Sequence, residues 1–187
     1  MRVQEKLMTA EVLWELPQKE GVRYELAEGV LIEIAGGTGG LPAILEARIA
    51  RHLANFVEEN GLGYVTGASD SYILTRDPDI VRIPNAAFVA KARMPKPIPE
   101  KFLSLAPDLA VEIVSPNDSA LEMRQKVREY LKHGVRLVWV IYPDLQTVDT
   151  YTAHGTQTLS DDAVLEGGDV LPAFRLPLRV LFADLAA

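Results

Sequence analysis

Between Pro107 and Pro116 the chain runs Asp-Leu-Ala-Val-Glu-Ile-Val-Ser, apolar at consecutive positions except for one acid in the middle. That pattern predicts a strand covered on both faces. Ser119-Ala-Leu-Glu122 is a capping box and opens a helix that runs to His133 and stops at Gly134. Arg136 to Tyr142 is a second apolar strand, and strand, helix, strand at this spacing predicts a βαβ unit with parallel strands. Upstream, Ile44, Leu45, Ile49, Leu53 and Phe56 recur at helical spacing, predicting a long amphipathic helix from Pro42 to Asn60. Val22–Leu26 and Val30–Ile34, joined through Ala27-Glu28-Gly29, predict a hairpin.

The remaining elements follow from shorter signals. Thr9 caps a helix that Pro17 ends. Leu62–Thr66 and Ser71–Thr75 are strand-like, Arg76–Asp79 is a turn, and Val81–Ala90 is strand-like with a break at Pro84. Lys91–Lys101 carries four basic residues and three prolines and is an extended loop. Thr147–Tyr151 is a further strand. Ala163–Leu165 and Asp169–Leu171 are short edge strands, and Leu178–Leu185 is a closing helix. Gly36, Gly37, Gly39 and Gly40 form a loop that no Lys-Ser/Thr follows, so it is no phosphate-binding loop. These elements predict one domain over residues 1–187, of α/β class bordering on α+β: a mixed sheet flanked by helices, with an N-terminal hairpin and C-terminal edge strands.

Composition narrows the chemistry. The 187 residues include no cysteine, which excludes disulfides, thiolate zinc sites and cysteine nucleophiles. His52, His133 and His154 show no ligand spacing, so any metal site is built from oxygen and takes a hard ion such as magnesium or manganese. The net charge of −7 argues against nonspecific coating of nucleic acid. Two basic clusters, Lys91–Lys101 and Arg124–Arg136, leave room for a local positive surface. No apolar run reaches the roughly 18–20 residues of a membrane span, and the N-terminus lacks the apolar core of a signal peptide. A cytoplasmic protein is the expectation, which removes any meaning from the Asn117-Asp118-Ser119 sequon.

Glu112 is the acid within the covered strand, and a buried carboxylate must be paired, metal-bound or protonated. Two readings are open: a structural ion pair with an arginine, or a metal ligand on the sheet. On the following helix Glu122, Lys126 and Tyr130 form one stripe, beside the apolar stripe Met123, Val127 and Leu131. Lys126 therefore either leans toward the strand or pairs with Glu122 on the solvated side. Asp108 and Glu112 share a strand face, but four residues span about 13 Å, too far for one ion. Asp79 reads as a turn residue.

In order along the chain stand Tyr24-Glu-Leu26 with Gly29, Arg82-Ile-Pro-Asn-Ala-Ala-Phe-Val89, Pro107-Asp-Leu-Ala-Val-Glu-Ile-Val-Ser-Pro116, Glu122, Lys126, Tyr130 and Gly134-Val-Arg-Leu-Val-Trp-Val140. Together, from about residue 10 to residue 182, they resemble the putative restriction endonuclease family of the PD-(D/E)XK nuclease superfamily. The resemblance implies a restriction-endonuclease-like core and magnesium- or manganese-dependent cleavage of DNA. It implies Glu112 as the acid of the (D/E)XK half and Lys126 as its lysine moved onto the helix, since Val114 stands two residues after Glu112. Glu25 becomes an accessory carboxylate at the metal. Asn85 stands where the family has aspartate, and a neutral carbonyl oxygen lowers magnesium affinity. A nuclease fold that binds DNA or a protein partner without cutting is the alternative. By analogy with nucleases that cut both strands, a homodimer or higher homo-oligomer is expected.

Overall fold

The computed structural model describes residues 7–17, 19–35, 39–116 and 118–185. Gly36 and Gly37 of the glycine loop, Asn117 of the sequon and the first six residues lie outside them.

Helix α1 (Ala10–Trp14) is capped by Thr9, whose side chain accepts from the Val12 N–H. Strands β1 (Val22–Ala27) and β2 (Val30–Ala35) pair antiparallel in full register. Their turn, Glu28-Gly29, has positive φ at both residues (48° and 77°), the type I′ geometry that matches strand twist and favours glycine. Helix α2 (Gly40–Glu59) buries Leu45, Ile49, Leu53 and Val57 along one face. Then come β3 (Gly63–Gly67), β4 (Tyr72–Thr75), β5 (Ile80–Arg82), β6 (Ala86–Ala90) and β7 (Leu109–Ile113). Helix α3 (Ala120–Lys132) begins at Ser119, which accepts from the Glu122 N–H as the capping box requires. Strands β8 (Leu137–Tyr142), β9 (Thr147–Thr152), β10 (Gly155–Leu159), β11 (Val164–Gly167) and β12 (Leu171–Pro177) lead to the short helix α4 (Leu178–Leu181).

The central sheet has six strands in the order β10-β9-β8-β7-β6-β3. It is mixed: β7 and β8 are parallel, joined by α3, and the other neighbours are antiparallel. One face packs on α2, β12 and α4 through Phe88, Val111, Trp139 and Ile141. The other packs on α3 and strands β4 and β5 through Ala110, Val138, Met123 and Tyr130. A sheet covered on both sides explains why β7 and β8 read as unbroken apolar runs.

The expected architecture is present, with three refinements. The run Val81–Ala90 is two strands: β5 joins the hairpin in a separate four-stranded sheet, β2-β1-β5-β4, and β6 enters the central sheet. Ile83-Pro84-Asn85 is the crossing between them, since proline cannot donate into a ladder. Strands β11 and β12 form a two-stranded sheet of their own instead of extending the central one. Asp169 and Val170 lie in the turn between them, so the second strand runs from Leu171 to Pro177, and the closing helix ends at Leu181 rather than Leu185. Strand β10 is an element that the apolar pattern does not predict, because four of its five residues are exposed and carry no alternation. Backbone pairing to β9 holds it as an edge strand.

Candidate active site

The register of two sheets assembles the charged groups. Leu26 pairs with Val81 in antiparallel β1 and β5, which sets Glu25 beside Arg82. Ala86 pairs with Val111 in β6 and β7, which sets Asn85 beside Glu112 at the end of the central sheet. Above both, α3 lays Lys126 and Tyr130 on consecutive turns.

Glu112 is buried, and two hydrogen bonds and an ion pair hold it. The Tyr130 hydroxyl donates to Oε1 at 2.6 Å, and the Lys126 ammonium lies 2.9 Å from Oε1 and 3.0 Å from Oε2. The same ammonium lies 3.0 Å from Oε1 of Glu25. Glu25 is also held from two other sides: Arg82 Nη1 donates to its Oε2 at 2.7 Å, and the Ile83 N–H to its Oε1 at 2.9 Å. Arg82 in turn reaches Glu129 on α3 through Nε at 2.9 Å and through Nη2. Lys126 thus leans toward the sheet, and its ion pairs are with Glu112 and Glu25 rather than Glu122. The reading of Glu112 as paired with an arginine does not hold: its partners are Lys126 and Tyr130, and the nearby Arg82 pairs with Glu25 and Glu129. Tyr130, fully buried, belongs to the face of α3 that packs on the sheet, while Leu131 is partly buried at its margin.

Burial sets the direction of each pKa, and neighbours then oppose or reinforce it. Loss of water pushes Glu112 above the usual carboxylate range; Lys126 and the Tyr130 hydrogen bond pull it down, and Glu25 pushes it up. Burial also pushes Glu25 up, but Lys126 and Arg82 outweigh it and leave Glu25 below the ordinary value. For Lys126 burial favours the neutral amine, yet Glu112 and Glu25 prevail and raise its pKa. Burial and the nearby Glu112 hold the Tyr130 proton on well into alkali.

Asn85 borders the same cleft but turns along the sheet end. Its Oδ1 accepts from the Ile113 N–H at 2.8 Å, and its Nδ2 donates to Oε2 of Glu46 on α2 at 2.8 Å. Asp108 is engaged elsewhere, accepting from the Ala90 N–H and pairing with Arg93. Asp79 is a buried turn acid that accepts from the Ala10 N–H and Arg76.

These groups open onto a cleft of about 630 Å³ between the hairpin and α3. Its described lining sets Glu25, Glu33, Glu112, Asp118, Glu122 and Glu129 against Arg23, Arg82 and Lys126, acid outnumbering base two to one. No group of three or more His, Cys, Asp or Glu side chains converges to hold a metal ion among the described residues. The donors present (Glu112, Glu25 and Asn85) are all hard oxygens of the type magnesium and manganese take. Two of them already converge on the Lys126 ammonium, so an ion and that ammonium compete for the same oxygens.

Arg82, Glu129 and Glu46 were not among the residues foreseen for this site. Arg82 had a signal, because a charge beside Ile80, Val81 and Ile83 needs a partner as much as Glu112 does. Glu46 and Glu129 had none, each lying at the polar margin of an amphipathic helix.

No helix of the described residues is long and apolar enough to cross a membrane. No protein of curated function matches the chain. Among solved structures, a putative nuclease belonging to DUF820 from Anabaena variabilis superposes with a TM-score of 0.84 over 96% of this chain and 99% of that one, at 22% identity. That likeness is one of fold. The family model described as "Putative restriction endonuclease", Uma2, matches residues 10–179. The chain belongs to the Uma2 family of restriction-endonuclease-like proteins.

Proposed function

We propose that the protein is a metal-dependent endonuclease that hydrolyses DNA phosphodiester bonds in the cleft between the hairpin and α3. One observation carries this reading: the partly buried Lys126 ammonium is held between Glu112 and Glu25 in an acid-rich cleft. A purely structural ion pair does not need to face such a cleft. Family membership supports the same nuclease-like activity.

An acidic cleft repels a polyanion unless cations enter with it. Glu112 and Asn85, with Glu25 beside them, are the residues that would hold magnesium or manganese. A bound divalent ion supplies a Lewis acid for the phosphate and lowers the pKa of water. The chain's own residues do the rest. Lys126 keeps its proton, because both carboxylates favour the ammonium, and presents a fixed positive charge to the negative charge that develops on the phosphoryl oxygens. Tyr130 orients the Glu112 carboxylate through its hydroxyl. Arg82 neutralises Glu25 and ties its strand to α3 through Glu129.

Incubation of pure protein with supercoiled plasmid and with single-stranded DNA, in magnesium and then in manganese, tests the reading. Nicking that is lost in Glu112→Gln and Lys126→Met is the expected result. Absence of cleavage on both substrates with both metals overturns it.

A second reading has its own support. Both oxygens of Glu112 are engaged and Asn85 carries no charge, which suits a nuclease fold that binds DNA or a protein partner without cutting. In that case the wild-type chain retains DNA in the presence of chelator, and neither metal produces nicks. Cleavage of both strands would call for two copies, so we expect a homodimer under the first reading.

A further inference from the structure

Glu25 and Glu112 each have a built-in cation, Arg82 and Lys126. Glu46 does not. Half-buried on α2 between the fully buried Leu45 and Ile49, it forms no salt bridge with a described residue. Its side chain is held instead by the Asn85 amide, across 39 positions of sequence.

The other end of that amide matters as much. Asn85 is 7% exposed, and its Oδ1 accepts from the N–H of Ile113, the residue that follows Glu112 on β7. One amide therefore links the strand end beside Glu112 to an unpaired carboxylate on the neighbouring helix. Only a side chain that both donates and accepts fits between an N–H and a carboxylate. An aspartate at 85 could accept from Ile113, but its second oxygen would face Oε2 of Glu46 at hydrogen-bond distance. Two carboxylates so placed cannot both stay ionised without a cation between them.

We infer that residues 85 and 46 are one unit in which the negative charge at this corner of the site has been moved from the strand to α2: Glu46 supplies the charge for a divalent cation, and Asn85 positions it. This inference rests on the metal-dependent reading above and names a residue that reading does not contain. The charge balance supports it, because Glu46 is the acid of this corner whose charge no ammonium or guanidinium offsets among the described residues.

The test is an exchange. Manganese binding is measured by calorimetry on the full-length wild type, Glu46→Gln, Asn85→Asp, the Glu46→Gln/Asn85→Asp double variant and Glu112→Gln, and the urea midpoint of each is recorded. Glutamine at 46 keeps an acceptor for the Asn85 amide, so folding is preserved. Glu46→Gln should weaken manganese binding about 10–100-fold, the range typical of lost groups that tune a metal site. The double variant should regain most of it. Without metal, Asn85→Asp should lower the urea midpoint in the wild-type background and leave it nearly unchanged in the Glu46→Gln background. Unchanged binding in Glu46→Gln, a double variant no better than Glu46→Gln, or additive midpoint shifts would each overturn the inference. If binding vanishes in Glu112→Gln but persists in Glu46→Gln, the inference fails and the metal-dependent reading stands. If the wild type binds no manganese, both fail.

Discussion

The Lys126 ammonium lies 2.9 Å from Oε1 of Glu112, both side chains withdrawn from bulk water. Such a pair is a poor source of net stability, but breaking it from one side strands a buried charge. Lys126→Met should therefore cost about 3–5 kcal/mol, as measured by urea denaturation. The Lys126→Met/Glu112→Gln double variant should recover much of that loss while remaining inactive on DNA. A single variant as stable as wild type would show that the carboxylates do not depend on the ammonium.

Tyr130 donates to the same carboxylate at 2.6 Å from one turn further along α3. Tyr130→Phe keeps the ring and deletes a hydrogen bond to a charged acceptor, a loss of about 1.5–3 kcal/mol. That hydrogen bond also holds down the Glu112 pKa. Its removal should shift the acid limb of the DNA-cleavage pH profile upward, whereas a purely structural role would lower activity equally at every pH.

The two ends of the stability–pH curve should have different owners. Glu25 has a folded pKa below the ordinary value of about 4.3, so its contribution is present above that pH and is lost as pH falls through the folded value. Lys126 has a folded pKa above the ordinary lysine value of about 10.4. Its contribution is complete below that pH and is lost as pH rises through the folded value. Glu112, raised by burial, works against Glu25 in acid, because the folded state takes up its proton first. Urea denaturation between neutrality and strong alkali should show a smaller alkaline loss in the Lys126→Met/Glu112→Gln variant than in wild type, the remainder belonging to tyrosines such as Tyr130 whose raised pKa acts in the same direction.

Gly63 and Gly67 stand at opposite ends of β3 and should respond oppositely to one added methyl group. A Cβ on Gly63 would collide with the carbonyl oxygen of Val89 and lie 2.8 Å from the Lys91 nitrogen, backbone atoms that cannot rotate away. Gly63→Ala should cost at least about 1–3 kcal/mol. At Gly67 the same methyl meets nothing within 4 Å. Gly67→Ala should stay within about 0.5 kcal/mol of wild type. Thermal melts of the two variants make the comparison.

Much of this protein could be read from residue order alone. The βαβ unit was legible because both of its strands are apolar on two faces and its helix carries a capping box and a terminal glycine. Glu112 stood out for the same reason, as a charge within an apolar run. Helix phase put Lys126 at the edge of the buried face and so within reach of the strand. Those are local signals: period, caps and a residue that contradicts its surroundings.

Other features depend on register and on which face of one element meets another, and neighbouring residues carry no trace of that. Glu25 and Arg82 are 57 positions apart and meet because Leu26 pairs with Val81. Asn85 reaches Glu46 because α2 packs against β6 and β7 beside the crossing at Pro84. Strand β10 exists because β9 offers it a hydrogen-bonding edge, not because its own side chains demand burial. A charge in an apolar run announces that it needs a partner. Which partner it finds is decided when separate strands and helices are packed to bury their apolar faces, because that packing sets the distances over which charges act.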